Sequence, residues 1–220
     1  APYEFKSLVN GKDTLVGADI ELAKAIGEKL GVKVEFSVMS FDNVLANVQS
    51  GNADIAIAGI SVTDERKKVY DFSDSYYTSE NVVIVKKDKV NDYTSTDSLA
   101  KQTVGTQKGS VQETVAKKQI PKASVVSLAS NGEMINELKS GQLQAVVLEK
   151  AIAEGYIAQN DDLTLANFNL KSDGTDAYAV ATRKGSDDLL KAINAVIKET
   201  KDSGKFDQWL KEASTYKQSK

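Results

Sequence analysis

Cysteine and histidine are both absent from this 220-residue chain. Their absence excludes thiolate and imidazole metal sites, and with them the Ser–His and Cys–His pairs that activate nucleophiles. Catalysis at neutral pH would then rest on tuned carboxylates, lysine or tyrosine, which weighs against a hydrolase and points to no metal and no cofactor. A chain without cysteine can work outside the membrane without mispairing. No apolar run approaches the roughly 20 residues a membrane-spanning helix needs. No signal-peptide pattern opens the sequence, as holds for any mature or trimmed chain. An excess of one charge is also missing: 28 basic against 31 acidic residues give a net charge of −3, the opposite of a nucleic-acid footprint.

What is present is a soluble, globular balance, with 41% hydrophobic and 27% charged residues. The length allows one large domain or two of about 100 residues. Strand and helix patterns alternate along the chain. GADIELAKAIGEKLG sets Ile20, Ala23, Ile26 and Leu30 on one helical face, with Asp19 able to cap the start and Gly31 the end. VKVEFSV alternates as a strand, FDNVLANVQSG is a short amphipathic helix stopped by Gly51, and ADIAIAG reads as a buried strand. NVVIVKK, TVGTQKG, ASVVSLA, LQAVVLE and AYAVATRK read as further strands. Between and after them, STDSLAKQ, SVQETVAKK, NGEMINELKSG, AIAEGYIAQN and two C-terminal segments read as helices. The alternation predicts an α/β fold with mainly parallel sheets.

One internal echo organises the chain. FDNVLANVQSGNADIAI and NGEMINELKSGQLQAVV each read as helix, Ser-Gly, two residues and strand, with Gly51 and Gly141 in equivalent places. Two α/β units can look alike by chance; the alternative is two lobes of related build, each presenting a strand C-terminus where ligands of open α/β sheets bind. The first echo strand ends at Ala58-Gly59 and the second at Leu148-Glu149.

These ends carry opposite chemistry. After Gly59 come Ser61, Thr63 and Arg66, spanning a strand end and a helix start, where free N–H groups and a planar guanidinium suit a carboxylate. The plainer alternative is Thr63 capping a helix with Arg66 in solvent. Gly105 and Gly109 bracket a turn before Ser110, either a second backbone site for a small anion or simply a cap. Glu149 is either a solvated residue opening the next helix or a carboxylate in need of a cation. An arginine and a carboxylate facing each other fit the two ends of an α-amino acid. Phe41 would then be a flat wall for its side chain, or else a core residue.

These stretches also carry a resemblance. APYEF, GADIELAKAIGEKLG, FDNVLANVQSGNADIAIAGISVTDERKKVYDFSDSYY, VGTQKGSVQE, GQLQAVVLEKAIAEGY and GKFDQWLKE together make the chain resemble the extracytoplasmic amino-acid-binding proteins of ABC importers (solute-binding protein family 3, polar amino-acid class). The resemblance implies a two-lobed, type II periplasmic-binding-protein fold, with lobe one at 1–83 and 178–220 and lobe two at 84–177, hinged on two crossing strands near 81–85 and 176–180. It implies that Arg66, Ser61 and Ser110 hold the ligand's α-carboxylate, and that Glu149, where the family often has aspartate, takes the α-ammonium with the backbone near Gly59. Phe41 matches the aromatic against the ligand side chain, and Ala58, Gln107 and Gln112 match pocket-lining positions. The family's opening strand, which often ends in a second aromatic and an acidic pocket residue, has no counterpart in residues 1–220.

The expected function is therefore capture of a free polar L-amino acid in an interlobe cleft and its delivery to the transmembrane subunits of an ABC importer. The expected protein is a monomer in the periplasm or on the cell surface with a lipid anchor. Ligand contacts to both lobes would favour a closed state. Gln107 and Gln112 accept and donate, and a stacking Phe41 suits a cation or a flat amide. Arginine is expected ahead of lysine, with glutamine next and glutamate disfavoured, since Lys108 is the only cation near the lining positions. Two rival classes share the scaffold: a cyclohexadienyl dehydratase-like enzyme, with Glu149 as its acid, and the ligand-sensing domain of a receptor.

Overall fold

FKSLV and KDTLV pair as an antiparallel hairpin, β1 (Phe5–Val9) and β2 (Lys12–Val16), in the computed structural model, which describes residues 1–219. The Asn10-Gly11 dipeptide between them has φ of 50° and 77°, the left-handed pair that a two-residue hairpin turn needs. That is a plain hairpin signal, and the strand-and-helix reading passes over it.

Helix α1 (Ala18–Leu30) follows at once, and its start is built from backbone. The Ala18 and Asp19 amides donate to the Pro2 and Tyr3 carbonyls at 3.1 and 2.9 Å, which satisfies two of the donors a helix start leaves open. Asp19 is therefore not the expected cap: Gly17 holds that position, with no side-chain cap bond. At the other end Gly31 closes the helix in the left-handed conformation, as expected. The helix buries Ile20, Ala23 and Ile26, together with Leu22, whereas Leu30 is 40% exposed at the end of the predicted stripe.

The chain divides into two compact units, residues 1–39, 43–78 and 177–220 in the first and 40–42 and 79–176 in the second. In the first unit β10 (Ala177–Arg183) is flanked by β3 (Ile55–Ala56) and β4 (Tyr70–Thr78), both antiparallel to it. Helices α7 (Asp187–Asp202) and α8 (Lys205–Ala213) pack on α1, and α7 also on β4. Phe206 of α8 stacks against Tyr76 at 5.1 Å between ring centroids.

The second unit is a five-stranded sheet in the order β7 (Ser124–Leu128), β6 (Thr103–Gln107), β8 (Ala145–Glu149), β5 (Asn81–Lys86), β9 (Leu163–Leu165). Successive side chains of β8 enter opposite cores. Val146 and Leu148 join Ile84, Met134, Leu138 and Leu143, while Ala145 and Val147 join Val83, Val85, Val104 and Ile120. Every residue of β8 is buried, as its near-continuous apolar run requires. Helices α4 (Val111–Gln119), α5 (Asn131–Ser140) and α6 (Lys150–Gln159) cover this sheet.

The α/β class and the two-lobed organisation match the expectation, with four corrections of detail. Only β7–β6 and β6–β8 pair in parallel; the remaining ladders are antiparallel. VKVEFSV forms no strand, and Val32, Phe36 and Val38 are exposed. An alternating pattern makes a strand only where a neighbour takes its backbone groups, and none lies beside it among the described residues. For the same reason ADIAIAG shrinks to the two residues of β3, paired on one side by β10. STDSLAKQ gives a single 3-10 turn at Asp97–Leu99. There the Ser95 and Ser98 hydroxyls each accept from the other's backbone amide, side-chain bonding that competes with a helix.

Gly17 ties the amino-terminal segment to α1. Its φ is 132°, and a Cβ there would stand 2.0 Å from the Tyr3 carbonyl oxygen. Gly17→Ala should therefore lose on the order of 3 kcal/mol or more of unfolding free energy. Urea unfolding checks this; a loss below about 0.5 kcal/mol, the range of a neutral surface change, would mean that the turn yields freely.

Candidate functional site

Two clusters, one in each unit, hold the candidate residues. In the first unit the chain leaves β3, passes Ala58, turns left-handed at Gly59 (φ 57°) and reaches Ser61. That segment is fastened to β10: Ser61 bridges Tyr178, the Ala179 amide donates to the Ile60 carbonyl at 3.1 Å, and the Val62 amide to the Ala177 carbonyl at 3.4 Å. Thr63 then caps α3 (Asp64–Lys67), its hydroxyl accepting from the Arg66 amide at 3.1 Å. The Thr63 cap was one of the two readings of this stretch. Its companion, Arg66 in solvent, does not hold: Arg66 is half-buried.

The Arg66 guanidinium folds back along its own helix and donates from Nη1 to the Ser61 carbonyl at 2.7 Å. Burial pulls its pKa below the usual arginine value, with Tyr70 opposing. Beside it the Ser61 hydroxyl is buried, at 1% exposure, and has no hydrogen-bond partner among the described residues. Buried hydroxyls are seldom left so. Ala58, Gly59, Ser61 and Arg66 thus form one cluster.

In the second unit Glu149 ends β8 at 2% exposure. It is neither solvated nor without partners: its carboxylate accepts from the Ala151 and Ile152 amides at 2.9 and 3.1 Å and from the Ser79 hydroxyl. It is the N-cap of α6, so the carboxylate sits in the field of a helix start. Opposite Glu149 in the ladder is Asn81, whose Oδ1 accepts from Gln112 Nε2 at 2.7 Å. Gln107 ends β6, and its carbonyl accepts from the Ser110 hydroxyl at 2.7 Å. Ser110 is the N-cap residue of α4, but its hydroxyl makes no cap bond.

Phe41 opens α2 (Phe41–Gln49) and is half-buried, so it does not belong to the core. Its neighbour Asp42, grouped with the second unit, pairs with Lys108 at 2.9 Å. That hydrogen-bonded pairing lowers the Asp42 pKa and raises that of Lys108.

Sequence reasoning missed Ser79 and Asn81, which meet Glu149 and Gln112 from the start of β5. Their signal is weak: a serine just before a strand and an asparagine at its first position read as turn residues. It also missed Asp19 and Tyr76. Asp19 is 1% exposed, and its Oδ2 accepts from the Gly59 amide at 3.2 Å and from Tyr76 Oη at 3.1 Å. Burial pushes its pKa up to about 7, with those two bonds holding it down. FSDSYY drew notice only as a family motif, and Asp19 only as a cap.

Known proteins align with the chain over nearly its whole length. It is 34% identical over 215 residues to the arginine-binding extracellular protein ArtP of Bacillus subtilis (strain 168), covering 96% of this chain and 80% of that protein. A substrate-binding protein of an amino acid ABC transporter, AbpA from Streptococcus pneumoniae Canada MDR_19A, bound to L-arginine, superposes with a TM-score of 0.94 at 50% identity over 98% of this chain and 90% of that one. An ancestral amino-acid-binding protein, AncCDT-1, described as a precursor of cyclohexadienyl dehydratase, superposes with a TM-score of 0.86 at 34% identity over 96% and 89%. With residues 1–213 matching its pattern, the chain belongs to the bacterial extracellular solute-binding proteins, family 3.

Proposed function

We propose that this protein binds a free L-amino acid, arginine ahead of lysine, and delivers it to the transmembrane subunits of an ABC importer. The observation that carries the reading is the unpartnered, buried Ser61 hydroxyl beside the half-buried Arg66 guanidinium. Together they form a donor pair suited to a ligand α-carboxylate, with charge-assisted bonds from arginine and a neutral one from serine. Ser110 is assigned to the same carboxylate, its hydroxyl leaving the Gln107 carbonyl to which it donates at 2.7 Å. The ligand's α-ammonium is assigned to Glu149, whose cap bonds fix the carboxylate in place before any ligand arrives.

Three features favour a basic side chain. Gln112 gives one of its two amide N–H groups to Asn81, and its carbonyl oxygen can accept from a ligand donor. Lys108, the cation a side-chain carboxylate would need, is engaged by Asp42. Phe41 offers a face on which a guanidinium can stack. Gln107, Ala58 and the Gly59 backbone complete the assigned set. The name of the arginine-binding Bacillus relative and the L-arginine bound to the Streptococcus one support arginine.

The dehydratase alternative has less support. Glu149, its acid, accepts backbone N–H bonds on both oxygens, which equips it as an acceptor and not as a proton donor. The place of work is assigned outside the cytoplasmic membrane, in a periplasm or on a lipid-anchored surface. Among the described residues no helix is long and apolar enough to cross a membrane.

A thermal-shift screen of the twenty amino acids tests the ligand. Arginine should give the largest rise in melting temperature and lysine the next, since a ligand that binds only the folded state stabilises it by mass action. A largest shift with glutamate or a branched aliphatic would overturn the order.

Calorimetry tests the carboxylate anchor. Arg66→Ala should weaken arginine binding by roughly 2–5 kcal/mol, the loss expected when one partner of a desolvated charge pair is removed. An affinity within about threefold of wild type, which is under 1 kcal/mol, would remove Arg66 from the role.

Glu149 is expected to show two separable effects. Glu149→Gln keeps one of the two cap oxygens and should cost the fold about 1–3 kcal/mol for the N–H left unpaired, while its loss of charge should weaken arginine binding by roughly 3–5 kcal/mol. Parallel urea unfolding and calorimetry check this; a large stability loss with unchanged affinity would make Glu149 a structural cap alone.

A further inference from the structure

Asp19 and Tyr76 play no part in the ligand contacts assigned above, yet they meet at the turn that presents them. The Gly59 amide lies 3.2 Å from Asp19 Oδ2 and 3.1 Å from Tyr76 Oη, and Tyr76 Oη donates to the same Oδ2 at 3.1 Å. The three groups close a triangle beneath the left-handed residue of the turn. Asp19 is 1% exposed and Tyr76 3%, so the triangle is shielded from water and each of its bonds weighs more than it would at the surface. A buried carboxylate is a costly way to secure a turn, since an apolar side chain would fill the same space.

We infer that Asp19, aided by Tyr76, is the positioning residue of the ligand site: by holding the Gly59 amide it sets the 58–61 turn, and through it Ser61 and Arg66. This inference rests on the proposed function. The path can be followed bond by bond. The C=O and N–H of a trans peptide point in opposite directions, so an amide of Gly59 directed at Asp19 turns the Ala58 carbonyl away from α1. Two residues on, the Ser61 carbonyl accepts from Arg66 Nη1 at 2.7 Å. A turn free to swing at Gly59 would carry the Ser61 hydroxyl and the anchor point of the guanidinium with it. The β10 bonds at Ile60, Ser61 and Val62 fix the far side of the turn, and Asp19 fixes the near side.

Protonation bears on the strength of the hold. The groups facing Asp19 are the Glu4 carboxyl and the Ala1 amino group from the amino-terminal segment, Tyr76 from β4 and the Gly59 amide. The Asp19 pKa lies at about 7, raised chiefly by burial. As pH rises through that value, the bond from the Gly59 amide gains a charged acceptor and should strengthen. The fold itself moves the other way. Because the folded pKa is raised, the stability Asp19 contributes is present below its unfolded value and declines as pH climbs to about 7. Ligand hold and fold stability thus depend on pH with opposite sign.

The test uses the whole protein, L-arginine as probe, and three variants. In Asp19→Ala, arginine affinity should fall roughly ten- to hundredfold, the factor a lost charge-assisted hydrogen bond represents. Asp19→Asn, which keeps an oxygen for the Gly59 amide, should recover most of that loss. Tyr76→Phe removes only the hydroxyl and should weaken binding several-fold; it decides the matter if Asp19→Ala does not fold. In ¹H–¹⁵N spectra the Gly59 amide proton should move downfield as pH rises through about 7, and the movement should vanish in Asp19→Asn, where Glu4 still titrates. Wild-type affinity in both Asp19→Ala and Tyr76→Phe, or a Gly59 resonance that ignores pH in the wild type, would overturn the inference. Failure of the wild type to bind any amino acid would instead overturn the proposed function, with the Gly59 resonance still reporting on the turn.

Discussion

A polar group at the buried end of a strand must find partners or cost the fold about 1–3 kcal/mol, and more if it is charged. Against a total stability of roughly 5–15 kcal/mol, a protein tolerates few such failures. Both candidate clusters are shaped by this constraint. Glu149 could not sit at 2% exposure as an anion without the α6 amides and the Ser79 hydroxyl. Asp19 meets the same demand on one oxygen only: Oδ2 accepts from one backbone amide and one phenol, while Oδ1 has no hydrogen-bond partner among the described residues. The contrast appears in its pKa of about 7, where burial outweighs the bonds that oppose it. The Ser61 hydroxyl is also buried without a hydrogen-bond partner among the described residues, as are Asp19 Oδ1 and Asn131 Oδ1. What sets Ser61 apart is its neighbour: its carbonyl accepts from the half-buried Arg66 guanidinium.

The internal echo gains meaning from the same viewpoint. Gly51 and Gly141 both take the left-handed conformation, at φ 81° and 84°, so the local instruction to end a helix and start a strand is carried out twice. The two strands still come out unlike each other, because a strand is made by its neighbours. β8 lies between β6 and β5 and is buried along its length, whereas β3 has β10 on one side only and reaches two residues. Each strand nevertheless ends where polar chemistry begins, at Gly59 in one unit and Glu149 in the other. The units resemble each other in grammar more than in finished structure.

Legibility in the sequence followed the range of the interactions. Thr63 capping Arg66's helix, Gly31 and Gly141 ending theirs, and the apolar run of β8 are local signals, and each was readable from a few residues. Glu149 was readable as a strand-end carboxylate but not as a cap, since a glutamate before a helix is equally at home in water. Asp19 was misread for a related reason. An aspartate at a helix start normally serves that start, and only the approach of Gly59 and Tyr76, 40 and 57 residues away, reveals its other engagement. The 32–38 stretch erred in the opposite direction: its period of two was real, but periodicity states which face would be buried and not whether a partner strand is there to bury it.

Specificity within this arrangement is a matter of which groups are already spoken for. On the proposed reading the permanent charges attend to the α-amino acid core, which every candidate ligand shares, so they set affinity without choosing among side chains. Choice falls to neutral groups: Gln107, Gln112, the Ala58 region and the face of Phe41. Neutral amides discriminate by geometry and by leaving the wrong ligand's polar atoms unpaired, a penalty of about 1–3 kcal/mol for each such atom. Glutamate would bring a second carboxylate to a place where Lys108 is held by Asp42, and drawing that lysine away would leave Asp42 without its partner. On that reading arginine brings donors to the Gln112 carbonyl oxygen, one of the two Gln112 amide N–H groups being engaged by Asn81. On the same reading two polar pairings within the protein, Lys108 with Asp42 and Gln112 with Asn81, bias the choice toward a cation before a ligand arrives.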